Sequence, residues 1–152
     1  MRVIAHRGLL YGPDHKLENS PKQIMETLNK GFDVEVDVWF IDNDWWLGHD
    51  NPDYLTRLEF LNMEGLWIHC KNAESLFELN RRPRTDGKNF NYFWHQNDDF
   101  TITSNGFIWT YPGKPLYKRS IEVLPESGVK LWYEDYRKKT HYGVCTDYPV
   151  KI

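Results

Sequence analysis

The clearest periodicity in the chain runs from Phe32 to Phe40, where Phe32, Val34, Val36, Val38 and Phe40 alternate with Asp33, Glu35, Asp37 and Trp39. Alternation of period two puts the apolar set on one face of a β-strand and the acidic set on the other. Residues 2–6 predict an earlier strand, and residues 7–19, with Gly8, Gly12, Pro13 and Asp14, a loop. A helix follows: Ser20 caps it, Pro21 takes the first helical position, Gln23 completes a capping-box spacing and Gly31 supplies the stop. Ile24, Met25 and Leu28 form its expected buried stripe. Asp42-Asn43-Asp44 predicts a tight turn into a short strand, Trp45 to Gly48, that ends at His49-Asp50. Leu66 to Cys70 is a further strand, and Asn72 to Arg82 a helix begun by Asn72 and stopped by Pro83, with Leu76, Phe77 and Leu79 facing inward. Beyond a polar loop come strands Tyr92–His95, Phe100–Thr103 and Phe107–Tyr111, the last two joined by an Asn105-Gly106 turn. A helix over Leu116–Leu124 and strands Val129–Tyr133 and Val144–Thr146 complete the pattern.

Strand, helix, strand is the prevailing order, which argues for a single α/β domain over residues 1–152 with parallel pairing. Eight full strand-helix units of ~5, ~11 and two times ~3 residues need about 176 residues, more than the chain has. If the fold is a barrel, some of its helices are missing or reduced to turns.

Composition narrows the function classes. Leu, Ile, Val and Phe make up about a quarter of the chain, enough to exclude global disorder. The longest stretch without a charge, Phe100 to Gly113, is 14 residues of largely polar sequence, too short to cross a bilayer. No integral membrane segment is therefore expected, and the strand-like N-terminus reads as uncleaved, with cytoplasmic localisation. A net charge of −3, with 19 basic and 22 acidic side chains dispersed along the chain, offers no field for a polynucleotide, so nucleic acid is not an expected partner. Cys70 and Cys145 lie in apolar strands outside any paired motif and read as buried free thiols. Where helices are missing, apolar strand faces such as Phe100–Thr103 and Phe107–Tyr111 would be uncovered, which makes a homo-oligomer plausible.

Glu35 and Asp37 stand two apart on one strand, their carboxylates on the same face and ~6.6 Å apart along the backbone. An isolated pair of this kind more often decorates a solvated sheet, but its neighbours change the reading. His6 and Arg7 end the first strand, His49 and Asp50 the strand after the acidic one, and His69 and Lys71 the next. Strand ends on one rim are where an α/β barrel gathers active-site groups.

The pieces Ile4-Ala5-His6-Arg7-Gly8, Glu18-Asn19-Ser20, Glu35-Val36-Asp37-Val38 and His49-Asp50, in that order, resemble the glycerophosphodiester phosphodiesterase family within the phospholipase C-like phosphodiesterases. Trp109-Thr110 and Thr146-Asp147-Tyr148-Pro149 are similar to further landmarks of that family. The resemblance implies a reduced TIM-type (β/α) barrel, an unusually short member, that hydrolyses a small glycerol-containing phosphodiester with the help of one divalent cation. His6 and His49 would then be the acid and base and Arg7 a phosphate ligand. Glu35 and Asp37 would bind Mg²⁺ or Ca²⁺, and Glu18 would orient the residues that contact metal and substrate rather than bind metal itself. Those roles are chemically apt, because an anionic diester needs charge neutralisation and imidazole transfers protons near neutrality.

Two departures qualify the resemblance. The family's Glu-x-Lys on the third central strand is His69-Cys70-Lys71 here, so the third metal ligand becomes an imidazole, which holds Mg²⁺ or Ca²⁺ less tightly and admits Mn²⁺. Lys71 is kept and can meet phosphate. Only 19 residues separate His49 from His69, where the family places a covering insertion, so an open site is expected. Trp109 suits both core packing and contact with a glycerol or lipid-like group, and His95 reads either as pointing into the barrel mouth or, more readily, as a packed strand histidine. The alternatives are a phospholipid or sugar-phosphate diesterase of the same superfamily, and a phosphate-binding module that has lost turnover.

Overall fold

The computed structural model describes residues 1–127 and 139–152. Ten strands form one mixed sheet: β1 (Arg2–Ala5), β2 (Asp33–Ile41), β3 (Asp44–Leu47), β4 (Tyr54–Thr56), β5 (Leu66–Cys70), β6 (Tyr92–Phe93), β7 (Phe100–Ile102), β8 (Ile108–Thr110), β9 (Ser120–Val123) and β10 (Gly143–Thr146). Three α-helices accompany them among the described residues: α1 (Pro21–Asn29), α2 (Leu58–Leu61) and α3 (Ala73–Arg81). The expected strand Val129–Tyr133 lies outside the described residues.

β2 organises the sheet. Its first half pairs in parallel with β1 on one side and β5 on the other, and its second half turns back into the antiparallel hairpin β3, where Ile41 pairs with Asp44. The hairpin turn uses positive φ at Asp42 (52°) and Asn43 (68°), the left-handed region that short polar side chains tolerate. From β1 the sheet continues through β10, β9 and β8, all parallel, to an antiparallel edge strand β7; from β2 it continues in parallel through β5 to β6. These two arms curl toward each other. Phe93 of β6 meets Trp109 of β8 with ring centroids 4.5 Å apart, and Ser104 N donates to Tyr92 O at 2.8 Å. Among the described residues no ladder joins β6 to β8, so the curl stays open.

This corrects the expected barrel: the architecture is a curled, mixed half-barrel with antiparallel hairpins and few helices, not a TIM-type (β/α) barrel. The segment Leu116–Leu124 shows why. Instead of a helix it is a loop leading into β9, where Ile121 is fully buried and the strand forms ladders with β8 and β10. The link from Thr110 to Ser120 is shorter than the dozen or more residues a helical crossover requires, and two ladders outweigh the weak helical propensity of Ile121 and Val123. β4 and α2, between Tyr54 and Leu61, went unread because neither is long enough to show a period.

Curling divides the apolar residues into two cores. The outer one packs Val34, Val36 and Val38, all inaccessible, with Ile24 of α1, Leu79 of α3 and Ile68 and Cys70 of β5. The inner one fills the curl with Ile4, Trp67, Phe93, Trp109, Ile121 and Cys145. Each fully buried aliphatic of this kind stabilises by roughly 1.5–3 kcal/mol. Both cysteines are free and buried, as expected. Two helix faces differ from expectation: Met25 is 50% exposed and Phe77 64%, because α1 buries the face of Gln23, Ile24 and Thr27 and α3 that of Ser75, Glu78 and Leu79, and at about 3.6 residues per turn Phe77 points away from Ser75 and Leu79. Phe100 and Ile102 of the edge strand β7 are exposed, whereas Phe107 packs on Trp67 and Tyr142. No helix among the described residues is long and apolar enough to cross a membrane.

Candidate functional site

Side chains directed into the curl at the C-terminal ends of its parallel strands line one cavity of about 750 Å³. It contains every residue the sequence pointed to for direct chemistry: His6, Arg7, Glu35, Asp37, His49, His69, Lys71 and Trp109. Strand alternation places them there. With Val34, Val36 and Val38 packed outward, Glu35 and Asp37 face inward; with Ile68 and Cys70 outward, His69 and Lys71 join them. Asp37 and His69 are direct partners in the β2–β5 ladder.

His6 and Arg7 lie in the tight turn after β1. Arg7 takes φ 51° there, a conformation uncommon for a side-chain-bearing residue, and three contacts hold it: its N–H donates to Glu35 Oε2 (3.0 Å), its carbonyl accepts from Asn19 N (2.9 Å), and its Nη1 donates to Glu18 Oε2 (2.8 Å). Glu18 thus lies against the Arg7 guanidinium. Burial alone would raise its pKa, but hydrogen bonds from Arg7 and His15 bring it below the usual carboxylate range. Helix α1 secures the same turn. Ser20 Oγ caps its first turn by accepting from Gln23 N at 3.3 Å, but Gln23 does not close the expected box: its amide donates to Gly8 O at 3.0 Å, beside Thr27 Oγ1 at 2.7 Å.

Asp37 is fully inaccessible and surrounded by cations. His69 Nδ1 lies 3.0 Å from its Oδ1, Lys71 Nζ 3.5 Å from the same oxygen, and Arg7 Nε 3.5 Å from Oδ2. Asn19 braces it from below, donating to Oδ2 and accepting from the Asp37 N–H, both at 2.9 Å. Burial would raise the Asp37 pKa; His69, Lys71 and Arg7 outweigh it and hold the carboxyl ionised far below its ordinary range. Burial likewise opposes the His69 imidazolium, but Asp37 and Glu35 push its pKa up to about 9.

The tautomer of His69 follows from its partners. Its Nε2 lies 2.8 Å from the His95 carbonyl, which can only accept, so Nε2 carries a proton and Nδ1 faces the two carboxylates. Glu35, Asp37 and His69 each present a ligand atom, all within 4.8 Å of one another. Two buried polar atoms beside them, Asp37 Oδ1 and Arg7 Nε, have no well-directed hydrogen bond. The donor set therefore fits a divalent cation: two hard oxygens and one imidazole fixed by a carbonyl behind it.

His49 reaches the cavity by a different route. β2 overshoots the curl and β3 returns, so that Gly48 N donates to Asp37 O at 3.1 Å and His49 comes level with Asp37. Gly48 has φ 147°, and a Cβ there would stand 2.0 Å from Asn51 O, so this corner admits only glycine. His49 Nδ1 is engaged by Asp50 at 2.7 Å.

Two members of the site, Asp147 and Glu126, have no role assigned from the sequence, where Asp147 figures only within the Thr146–Pro149 landmark. Asp147, the first residue after β10, is 2.7 Å from His6 Nδ1, so the Nε2 of His6 is the nitrogen available to the cavity. Burial disfavours the charged His6 ring, but Asp147 and then Glu35 raise its pKa above the ordinary value. Glu126 Oε1 fixes Asp147 in turn, accepting from its N–H (2.8 Å) and from Thr146 Oγ1 (2.9 Å). The readable signal was position: Asp147 follows β10 as His6 follows β1, and those strands pair. Of the two readings of His95 the structure has the one in the mouth: it follows β6 and lines the cavity. Trp109 does both things expected of it, packing on Phe93 and Trp67 and lining the cavity. Compared with known proteins, the chain matches no family model, no curated protein and no solved structure.

Proposed function

We propose that the protein is a divalent-cation-dependent phosphodiesterase acting on a small, glycerol-containing phosphodiester. The observation that supports this reading is the meeting, in one cavity, of two imidazoles, a fixed guanidinium and the Glu35–Asp37–His69 donor set. Glu35, Asp37 and His69 would hold Mg²⁺, Ca²⁺ or Mn²⁺, which when bound supplies positive charge for a phosphoryl oxygen.

The chain's own groups do the remaining work. Arg7, with Nη1 committed to Glu18, offers its other donors to the phosphate, and Lys71 adds a second positive charge from the same wall. His6, backed by Asp147, is set to hold or move a proton at Nε2; His49, on the returning hairpin, provides the second proton-transfer group. A water or a neighbouring substrate hydroxyl is the nucleophile, one histidine taking its proton and the other giving one to the leaving alkoxide.

The reading is tested by turnover of glycerophosphodiesters before and after chelation, with Mg²⁺, Ca²⁺ or Mn²⁺ restored. Loss and recovery of hydrolysis support it, and full activity of chelated protein refutes it. The direct His69–Asp37 ion pair favours one second reading, a phosphate-binding module in which the imidazolium occupies the cation's place. In that case phosphate binds and no diester is cleaved.

A further inference from the structure

Opposite the acidic floor, the cavity has a second wall of different chemistry: Trp109, Tyr111 and Pro112 on one strand end, and His95, Gln96 and Asn97 on the facing loop. We propose that this wall is a subsite for a sugar ring, so that one of the two alcohols of the phosphodiester is a pyranose; this rests on the phosphodiesterase reading above.

The size of the cavity is the first reason. At about 750 Å³ it lies in the range that accommodates drug-sized ligands, more than a phosphate with one small polyol occupies. The second is that the wall is built rather than incidental. His95 Nε2 donates to Asp98 O at 2.6 Å, which fixes the ring, and Tyr111 N donates to Asp99 O at 3.0 Å, which ties the loop to the strand. Lys114 pairs with Asp99 at 2.8 Å across the same junction. His69 Nε2, bonded to the His95 carbonyl, joins the wall to the candidate metal donors.

The composition of the wall then selects among ligands. An acyl chain calls for a continuous apolar surface; Val123 and Leu124 add apolar lining to the same cavity, but His95, Gln96 and Asn97 interrupt it with imidazole and amides. A nucleobase sandwiched between two rings needs them parallel, and the His95 and Tyr111 rings, tilted by 44° with centroids 5.9 Å apart, form no such slot. A pyranose is a disc with a C–H face and a rim of hydroxyls. Tyr111, half exposed at the mouth, offers it an aromatic face, and the amides of Gln96 and Asn97 supply both donors and acceptors to hydroxyls. With its Nε2 donating to a carbonyl, the His95 ring has Nδ1 left to meet a hydroxyl.

The experiment is a calorimetric titration of the full chain, with Mg²⁺ present, by inorganic phosphate, glycerol 3-phosphate, glucose 1-phosphate, thymidine 5′-phosphate and octyl phosphate. Glucose 1-phosphate should bind at least tenfold more tightly than phosphate or glycerol 3-phosphate. Tyr111→Ala and Gln96→Ala, both at exposed positions, should each remove most of that advantage while inorganic phosphate binds as before. Equal affinity for glucose 1-phosphate and glycerol 3-phosphate overturns the subsite, as does a preference for the nucleotide or the octyl ester. Failure of every probe, phosphate included, overturns the phosphate floor and the subsite together. Sugar-selective binding without hydrolysis of any diester refutes the phosphodiesterase reading and leaves the subsite standing.

Discussion

Replacing Asp147 with Asn isolates the group behind His6. The carboxylate is 2.7 Å from His6 Nδ1, and both side chains are nearly buried, at 12% and 15% exposure, so solvent screens the pair little. A hydrogen bond between charged partners contributes about 1.5–3 kcal/mol. If it stabilises the imidazolium formed during proton transfer, its loss slows turnover by about 10- to 150-fold. The same substitution removes the first favourable contribution to the charged ring and leaves burial opposed chiefly by Glu35, so the His6 pKa falls. The sign for stability follows. A histidine whose folded pKa lies above its unfolded value of about 6.5 contributes stability fully below that pH and loses it as pH rises through the folded value. Wild type and Asp147→Asn should therefore differ most in Tm on the acid side of neutrality, and the gap should narrow in mild alkali. NMR titration of the His6 ring reads the pKa without any substrate, and a pH–rate profile reads the catalytic consequence. An unchanged His6 titration in the variant would refute the reasoning, whatever happened to the rate.

Other consequences can be measured separately. His69→Glu adds a hard, charged ligand and should tighten Mg²⁺ or Ca²⁺ binding by calorimetry, whereas His69→Ala should weaken Mn²⁺; identical affinities in both variants and wild type would remove His69 from the donor set. Arg7→Lys keeps the charge but loses the fork that meets Glu18 and phosphate together, so kcat/KM should drop at least about tenfold. Gly48→Ala drives a Cβ to 2.0 Å from the Asn51 carbonyl and should destabilise by about 1–3 kcal/mol, seen as a lower Tm; an unchanged Tm would contradict the described corner. Burial pushes the Cys70 thiol up to about 12 and that of Cys145 well above its usual value, so neither should react with a thiol reagent until the protein unfolds.

The site was more legible in the sequence than the fold around it, for a physical reason. Alternation along β2 and β5 is a local rule, and it put Glu35, Asp37, His69 and Lys71 on one face before any partner strand was known. Strand ends carry chemistry by position, so His6, Arg7 and His49 were findable for the same reason. What decides between a helical barrel and an open half-barrel is not local. Ile121 and Val123 lie in a segment whose spacing permits a helix, and only the presence of β8 and β10 on either side makes a strand of it. Asp147 was visible as a residue after a strand, but its role depends on β1 and β10 being neighbours, a pairing that spans 141 positions. The short helices misled in a smaller way: Phe77 and Met25 are apolar, yet they lie off the faces that α1 and α3 bury, which carry Gln23 and Thr27 beside Ile24, and Ser75 and Glu78 beside Leu79.

Few helices and a compact site are connected through the inner core. Where a helical barrel clamps its strands from outside, this sheet is held in its curl from within, by Trp67 and Phe93 each packed on Trp109 and by Phe107 set between Trp67 and Tyr142. Large rings keep the two arms apart at the bottom and leave room above, and that room is the cavity. The residue at the top of this stack is Trp109, whose ring is at once the last member of the core and part of the wall facing the acidic floor. Shortening it therefore changes two things at once. Trp109→Phe keeps an aromatic contact to Phe93 but reduces the wall, whereas Trp109→Ala leaves a void and should cost about 3–5 kcal/mol. If the inner core sets the curl, Trp109→Ala should unfold at much lower temperature than Trp109→Phe, and glucose 1-phosphate affinity should fall in both. Equal melting temperatures for the two variants would mean that the arms are held by the outer core alone.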